Sequence, residues 1–228
     1  MPTKRQTIII FIASTLLTML FEYLMILELQ VIFKPIIILS LLYLYSITKH
    51  KRQILYELGL LLALASNIFL LDRSDGILLN LGVFTTVLYI LFYLIIVMRN
   101  SRGKNFLVVL LCSLPLMAIA GYEISLFSEN LGNNFWAIIF GGSIISLFCG
   151  LAFYSYFLVK SQKHVYLLVS GLCLFFVAIL FSLEVFYFNF QILRVATLGT
   201  FALFQYAFYL YAIEKEDNVE RLFDESIV

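Results

Sequence analysis

The sequence predicts an all-α polytopic membrane protein: a single bundle of about eight transmembrane helices with both termini cytoplasmic. Three observations carry this. The 228 residues are 63% hydrophobic and 13% charged, with a mean hydropathy of +1.02, where soluble domains run near half apolar and a quarter charged. The apolar residues gather into runs of about 20, the length that crosses a hydrocarbon core as a helix. The basic residues alternate between the connections in the way that fixes a topology.

The spans fall in order at 7–27, 31–48, 54–72, 77–98, 106–127, 135–159, 165–187 and 192–213. The first follows Lys4 and Arg5 and has the outline of a signal peptide, but no small-x-small cleavage site follows, so it is taken as a helix. The connections are short. Residues 1–213 therefore form one transmembrane domain, and 214–228, EKEDNVERLFDESIV, a short charged cytoplasmic tail. Every run is too long for a barrel strand. With eight spans, all basic residues except Lys34, Arg73 and Arg194 fall on the side of the termini, the cytoplasmic side by the positive-inside rule.

Tyr43, Tyr45, Tyr154, Tyr156, Tyr209 and Tyr211 fall at cytoplasmic span ends and Trp136 at an outer one, positions that suit interface anchors. Most of the 23 Phe and 14 Tyr need no more than this and lipid-facing bulk. Gly141, Gly142 and Gly150 suit close helix packing in the sixth span, and Pro115 suits a kink in the fifth. Cys112, Cys149 and Cys173 read as small buried hydrophobes. The net charge of +1 gives no reason to expect a nucleic-acid partner. No metal-ligand spacing, phosphate-cradling glycine loop or other cofactor motif is present, and no metal or cofactor is expected.

An ionisable group inside a span needs a reason. Glu22, Glu123 and Glu184 lie in the outer third of their helices, whereas Glu57 is close to the cytoplasmic Lys51 and Arg52 and reads as interfacial. Lys34 stands at the outer mouth of the second span and Arg194 opens the eighth from the same side. Asn67 lies above the midplane of the third span, and Gln205 near the middle of the last. The outer half thus gathers three carboxylates, two cations and two amides. That pattern predicts a polar cavity for a lipid headgroup or small polar solute, with Glu22 paired to Lys34. Asp72, beside Arg73, suits an interface, and His50 and His164 fall in cytoplasmic loops remote from these groups.

The order of short motifs resembles the YhhN-like membrane proteins, whose characterised members are lysoplasmalogenases. The second span opens FKPIIILSLLYLY, keeping a Lys-Pro pair as Lys34 and Pro35. SNIFLL stands where the family has Gly-Asp, putting Ser66 and Asn67 in that slot. GVFTTVLYILFY keeps Gly82 and Tyr93, with Ile90 in the histidine slot. GLCLFFVAI keeps Gly171 and Phe175, with Ala178 and Ile179 in place of Ser-Asp, and FALFQY supplies Gln205. The resemblance implies lipid chemistry in the cytoplasmic membrane of a bacterium. The substrate would be a membrane lipid or lysolipid, and the resemblance together with the polar groups of the outer half nominates Lys34, Asn67, Tyr93, Arg194 and Gln205 to hold it.

Vinyl-ether cleavage protonates the alkene carbon and adds water to the resulting oxocarbenium ion, so it calls for a general acid. Asn67 and Ile179 cannot serve. The candidates are Glu184, Glu123 and Glu22, with Ser182 and Glu184 as a displaced polar pair. Three readings follow: a lysoplasmalogenase-type hydrolase, a non-catalytic lipid-binding or partner protein on the same fold, and a transporter component. The last lacks a polar pathway through the cytoplasmic half. No residue pattern identifies a protein partner.

Overall fold

In a computed structural model, residues 3–48, 53–71, 76–100, 105–127, 135–188 and 190–214 are described. They form eight helices: α1 (Lys4–Tyr23), α2 (Leu27–Thr48), α3 (Ile54–Phe69), α4 (Gly76–Asn100), α5 (Phe106–Phe127), α6 (Phe135–Leu158), α7 (Gln162–Phe186) and α8 (Gln191–Ile213). Seven are long and apolar enough to cross a membrane; α3 is shorter. The chain is a polytopic all-α membrane protein.

The boundaries match the apolar runs within a few residues, and the exceptions have local causes. α1 starts three residues early because Thr3 and Gln6 form a capping box, with the Thr3 N–H donating to Gln6 Oε1 at 2.8 Å. It ends at Tyr23 rather than 27. There Met25 takes a left-handed φ of 56° and the Ile26 N–H returns to the Phe21 carbonyl at 3.0 Å, giving a tight hairpin into α2. α3 ends at Phe69, not 72. Leu70 folds onto Gly82 of α4, so close that a Cβ on Gly82 would meet Leu70 Cδ2 at 2.5 Å. At 16 residues α3 rises only about 24 Å.

α8 contributes the most to the interior. α1 and α7 flank it, and its aromatic side chains reach α3, α4 and α6. α2 joins α1 to α3, α3 packs on α4, α4 on α6 and α6 on α7. α5 stands outside this ring, laid along α6 with slight contact to α7.

Cross-helix bonds show that successive helices alternate in direction. Thr48 ending α2 meets Tyr209 near the end of α8 at 3.1 Å, and Asn105 before α5 donates to Tyr154 late in α6 at 3.3 Å. These share the end that holds the termini, here the near end. At the opposite, far end, Glu22 late in α1 meets Lys34 early in α2, and Glu184 late in α7 meets Arg194 early in α8.

The near half is an aromatic core. Tyr93 stacks on Phe208 at 4.1 Å between centroids, and Tyr56 fills the space between Tyr45, Tyr93 and Phe208. Gly59 leaves room for the Tyr93 ring, since a Cβ there would lie 2.5 Å from it. Tyr45, Tyr209 and Tyr211 belong to this core and are fully buried, so their expected role as interface anchors does not hold. Two of the hydroxyls have partners inside: Tyr45 accepts from the Gln53 N–H at 3.0 Å and Tyr209 bonds Thr48.

Candidate functional site

The far half holds a cavity of about 170 Å³ whose wall draws on every helix. The cavity has room for a headgroup-sized moiety.

The hairpin between α1 and α2 brings Glu22 back onto Lys34. The Lys34 Nζ stands 2.7 Å from Glu22 Oε2, and both side chains are 5% exposed. The pair expected from depth alone is therefore formed and buried. Two buried charges hold in such a place only when each neutralises the other.

Arg194, in the first turn of α8, sets its Nε 3.2 Å from Glu184 Oε1. Arg194 lines the cavity and stays partly exposed, whereas Glu184 is buried behind it and does not reach the cavity wall. Among the described residues, Glu123 of α5 has no cation at ion-pair distance. Its partner is the Ser182 hydroxyl of α7, and its Oε1 is buried without a hydrogen bond. Glu123 and Ser182 both line the cavity.

Asn67 lines the wall from α3, beside Ser66. The Ser66 hydroxyl lies 2.6 Å from Thr86 Oγ1 and donates to the Gly82 carbonyl at 3.2 Å, pinning α3 to α4. Ile90 and Ile179 face the same space from α4 and α7. The three slots singled out in the sequence converge on one cavity, and two of them are aliphatic.

The two other expected binding residues stand elsewhere. Tyr89 forms the cavity floor, and Tyr93 lies beneath it, its ring 5.7 Å from Tyr89. The Tyr93 hydroxyl donates to Gln205 Oε1 at 2.9 Å, below the floor. Tyr93 and Gln205 are thus core residues, not wall residues. Thr86 and Thr197 line the cavity and escaped the sequence reading. Their spacing was a usable signal, because Thr86 lies one turn before Ile90 and Thr197 three residues after Arg194, on the same helix faces.

His164 is not in a loop. It sits in the first turn of α7, buried, with Nδ1 2.8 Å from the Ser161 hydroxyl, at the end away from the cavity. His50, Asp72 and Arg73 lie outside the described residues. Among the described residues, no three His, Cys, Asp or Glu side chains cluster as metal ligands would.

No curated protein and no solved structure matches the chain. The YhhN family model matches residues 29–211, from the first turn of α2 to near the end of α8, and the cavity wall outside α1 falls within that match. The chain is a member of the YhhN family.

Proposed function

We propose that the protein binds a lysophospholipid, or a lipid of similar amphiphilic build, with its headgroup in the far-end cavity. The observation that carries this reading is the convergence of Asn67, Ile90 and Ile179 on a wall shared with Glu22, Lys34, Glu123 and Arg194. The charged groups offer both signs to a zwitterionic headgroup, and the largely apolar wall suits the glyceryl end of a chain. By the positive-inside rule the cavity opens toward the outer leaflet.

Glu123 favours a second reading, hydrolysis of a vinyl ether. A general acid must be free to reach the reacting carbon, and a carboxylate held by a cation is already engaged. Glu22 and Glu184 are clamped by Lys34 and Arg194. Glu123 faces the cavity beside a hydroxyl. It would protonate the alkene carbon, and its carboxylate would then take a proton from the water that adds to the oxocarbenium ion. The hemiacetal collapses to a fatty aldehyde and a glycerophospho-alcohol.

The test is fatty-aldehyde release from a lysoplasmalogen by the purified protein, beside Glu22→Gln, Glu123→Gln and Glu184→Gln. Loss of release in Glu123→Gln, with lysolipid still bound, establishes the hydrolase. Lysolipid bound with no aldehyde from any form makes this a binding protein on the family fold. Neither binding nor release sinks both readings.

A further inference from the structure

The far half of α5 is cavity wall on one side and lipid-facing on the other. Before Pro115 the helix is pinned: Val109 and Ser113 are buried, and Gly150 of α6 lets the Ser113 backbone approach so closely that an added Cβ would sit 2.9 Å from its nitrogen. After Pro115, no residue from 116 to 126 is buried. At Gly142 of α6 this half packs at ordinary van der Waals range, where an added Cβ would lie 3.7 Å from Ala120 Cβ and 3.8 Å from Ile124 Cδ1. It meets α7 through Glu123 and Ser182. Proline has no N–H to bond the carbonyl of Leu111, and its ring crowds that carbonyl, so bending concentrates there. The residues on the inner face of this half, Ala120, Glu123 and Ile124, are cavity wall. Those on its outer face, Ile119, Tyr122 and Leu126, are exposed to lipid.

We propose that the half of α5 beyond Pro115 is a lateral door. It swings on Pro115 and latches through Glu123 to Ser182, and it admits the headgroup of an amphiphile directly from the bilayer while the acyl chain stays in the membrane. The door rests on the lipid-binding reading and gives an amphiphile a path from the bilayer into the cavity. The same motion that loads the cavity carries Glu123 away from it and back. Glu123 therefore faces the ligand only when the door is shut.

Two measurements test it, both with Cys112, Cys149 and Cys173 replaced by alanine. The first needs no ligand. Spin labels at Tyr122→Cys and Ile192→Cys, both on exposed positions, report the door distance in nanodiscs. The expected result is two distances, reduced to one by Pro115→Ala. A single narrow distance in both proteins overturns the door.

The second is Ala120→Cys with Gly142→Cys. Their 3.7 Å spacing lies in the range a disulfide bridges. Oxidation should slow exchange of a fluorescent lysophosphatidylcholine by about tenfold or more, and dithiothreitol should restore it. Ser182→Ala, which removes the latch, should speed exchange in the uncrosslinked protein. Exchange that ignores the crosslink overturns the door. Two spin-label distances without any lysolipid bound to the reduced protein leave the door standing and overturn the lipid reading.

Discussion

The two halves of the bundle solve opposite problems with the same helices. In the near half, rings from α2, α3, α4, α6 and α8 close on one another, with Tyr93 against Phe208 and Tyr45 edge-on to Tyr56 at 4.6 Å. In the far half, the same helices line a cavity and place ionisable groups on its wall. A membrane interior rewards dense packing and penalises charge. A rigid near half therefore holds the helix ends that a loosely filled far half needs as its frame. Charge and space coincide at one end, an arrangement that stability alone does not require.

The sharpest way to break this comparison is to remove the charge balance of the far half. Lys34→Met leaves Glu22 buried without its cation, a loss of about 3–5 kcal/mol where no relief is available. Its effect should exceed that of any single substitution in the aromatic core, read as a drop in thermal unfolding temperature in nanodiscs. Pairing it with Glu22→Gln should recover most of the loss. Exchanging the two residues, Glu22→Lys with Lys34→Glu, should fold better than either single exchange. If the double exchange is no more stable than the singles, the 2.7 Å contact is not what holds α1 to α2.

A second change compares the halves directly. Phe208→Ala empties a site enclosed by Tyr56, Tyr93, Phe148 and Tyr211. In a soluble core such a cavity costs about 3–5 kcal/mol. Between helices in lipid only the lost packing counts, and the cost should fall to about 2 kcal/mol. Phe201→Ala removes the same ring from the cavity wall, where one side already faces space, and should cost less than half as much. Equal losses in thermal stability would mean that the far half is as tightly built as the near one.

Much of this arrangement was legible in the sequence, and the reason differs by element. The helices showed as apolar runs because lipid sets their length. The Glu22–Lys34 pair showed because two charges at like depth on adjacent spans have few other ways to coexist. The tyrosine core did not show. Tyr45, Tyr209 and Tyr211 occupy span ends where anchoring and burial look alike in sequence. Nor did the peripheral place of α5. A helix apolar on all sides has no inward face to read, since lipid and protein neighbours ask for the same residues. The early end of α3 goes with Leu70 meeting Gly82 of α4, a contact that hydropathy does not encode. In the site, Asn67, Lys34 and Arg194 were legible as polar exceptions. Tyr93 and Gln205 looked like wall residues because their depth was right and only their direction was wrong.

The smallest effects fall at the boundary between the halves, and they test where it lies. The Tyr93 hydroxyl gives Gln205 Oε1 a hydrogen bond at 2.9 Å, while Gln205 Nε2 is buried with no partner. Tyr93→Phe removes one bond and should cost about 1 kcal/mol or less, since interhelical hydrogen bonds in membranes average near 0.6 kcal/mol. Gln205→Leu removes an amide that is only half satisfied and should be close to neutral in thermal unfolding. Both should leave lysophosphatidylcholine affinity within about twofold, because a floor formed by Tyr89 separates them from the cavity. A large loss of affinity in Gln205→Leu at unchanged stability would place the amide in contact with ligand. The cavity would then extend below Tyr89 when occupied, and the division between a packed near half and an open far half would hold only for the empty protein.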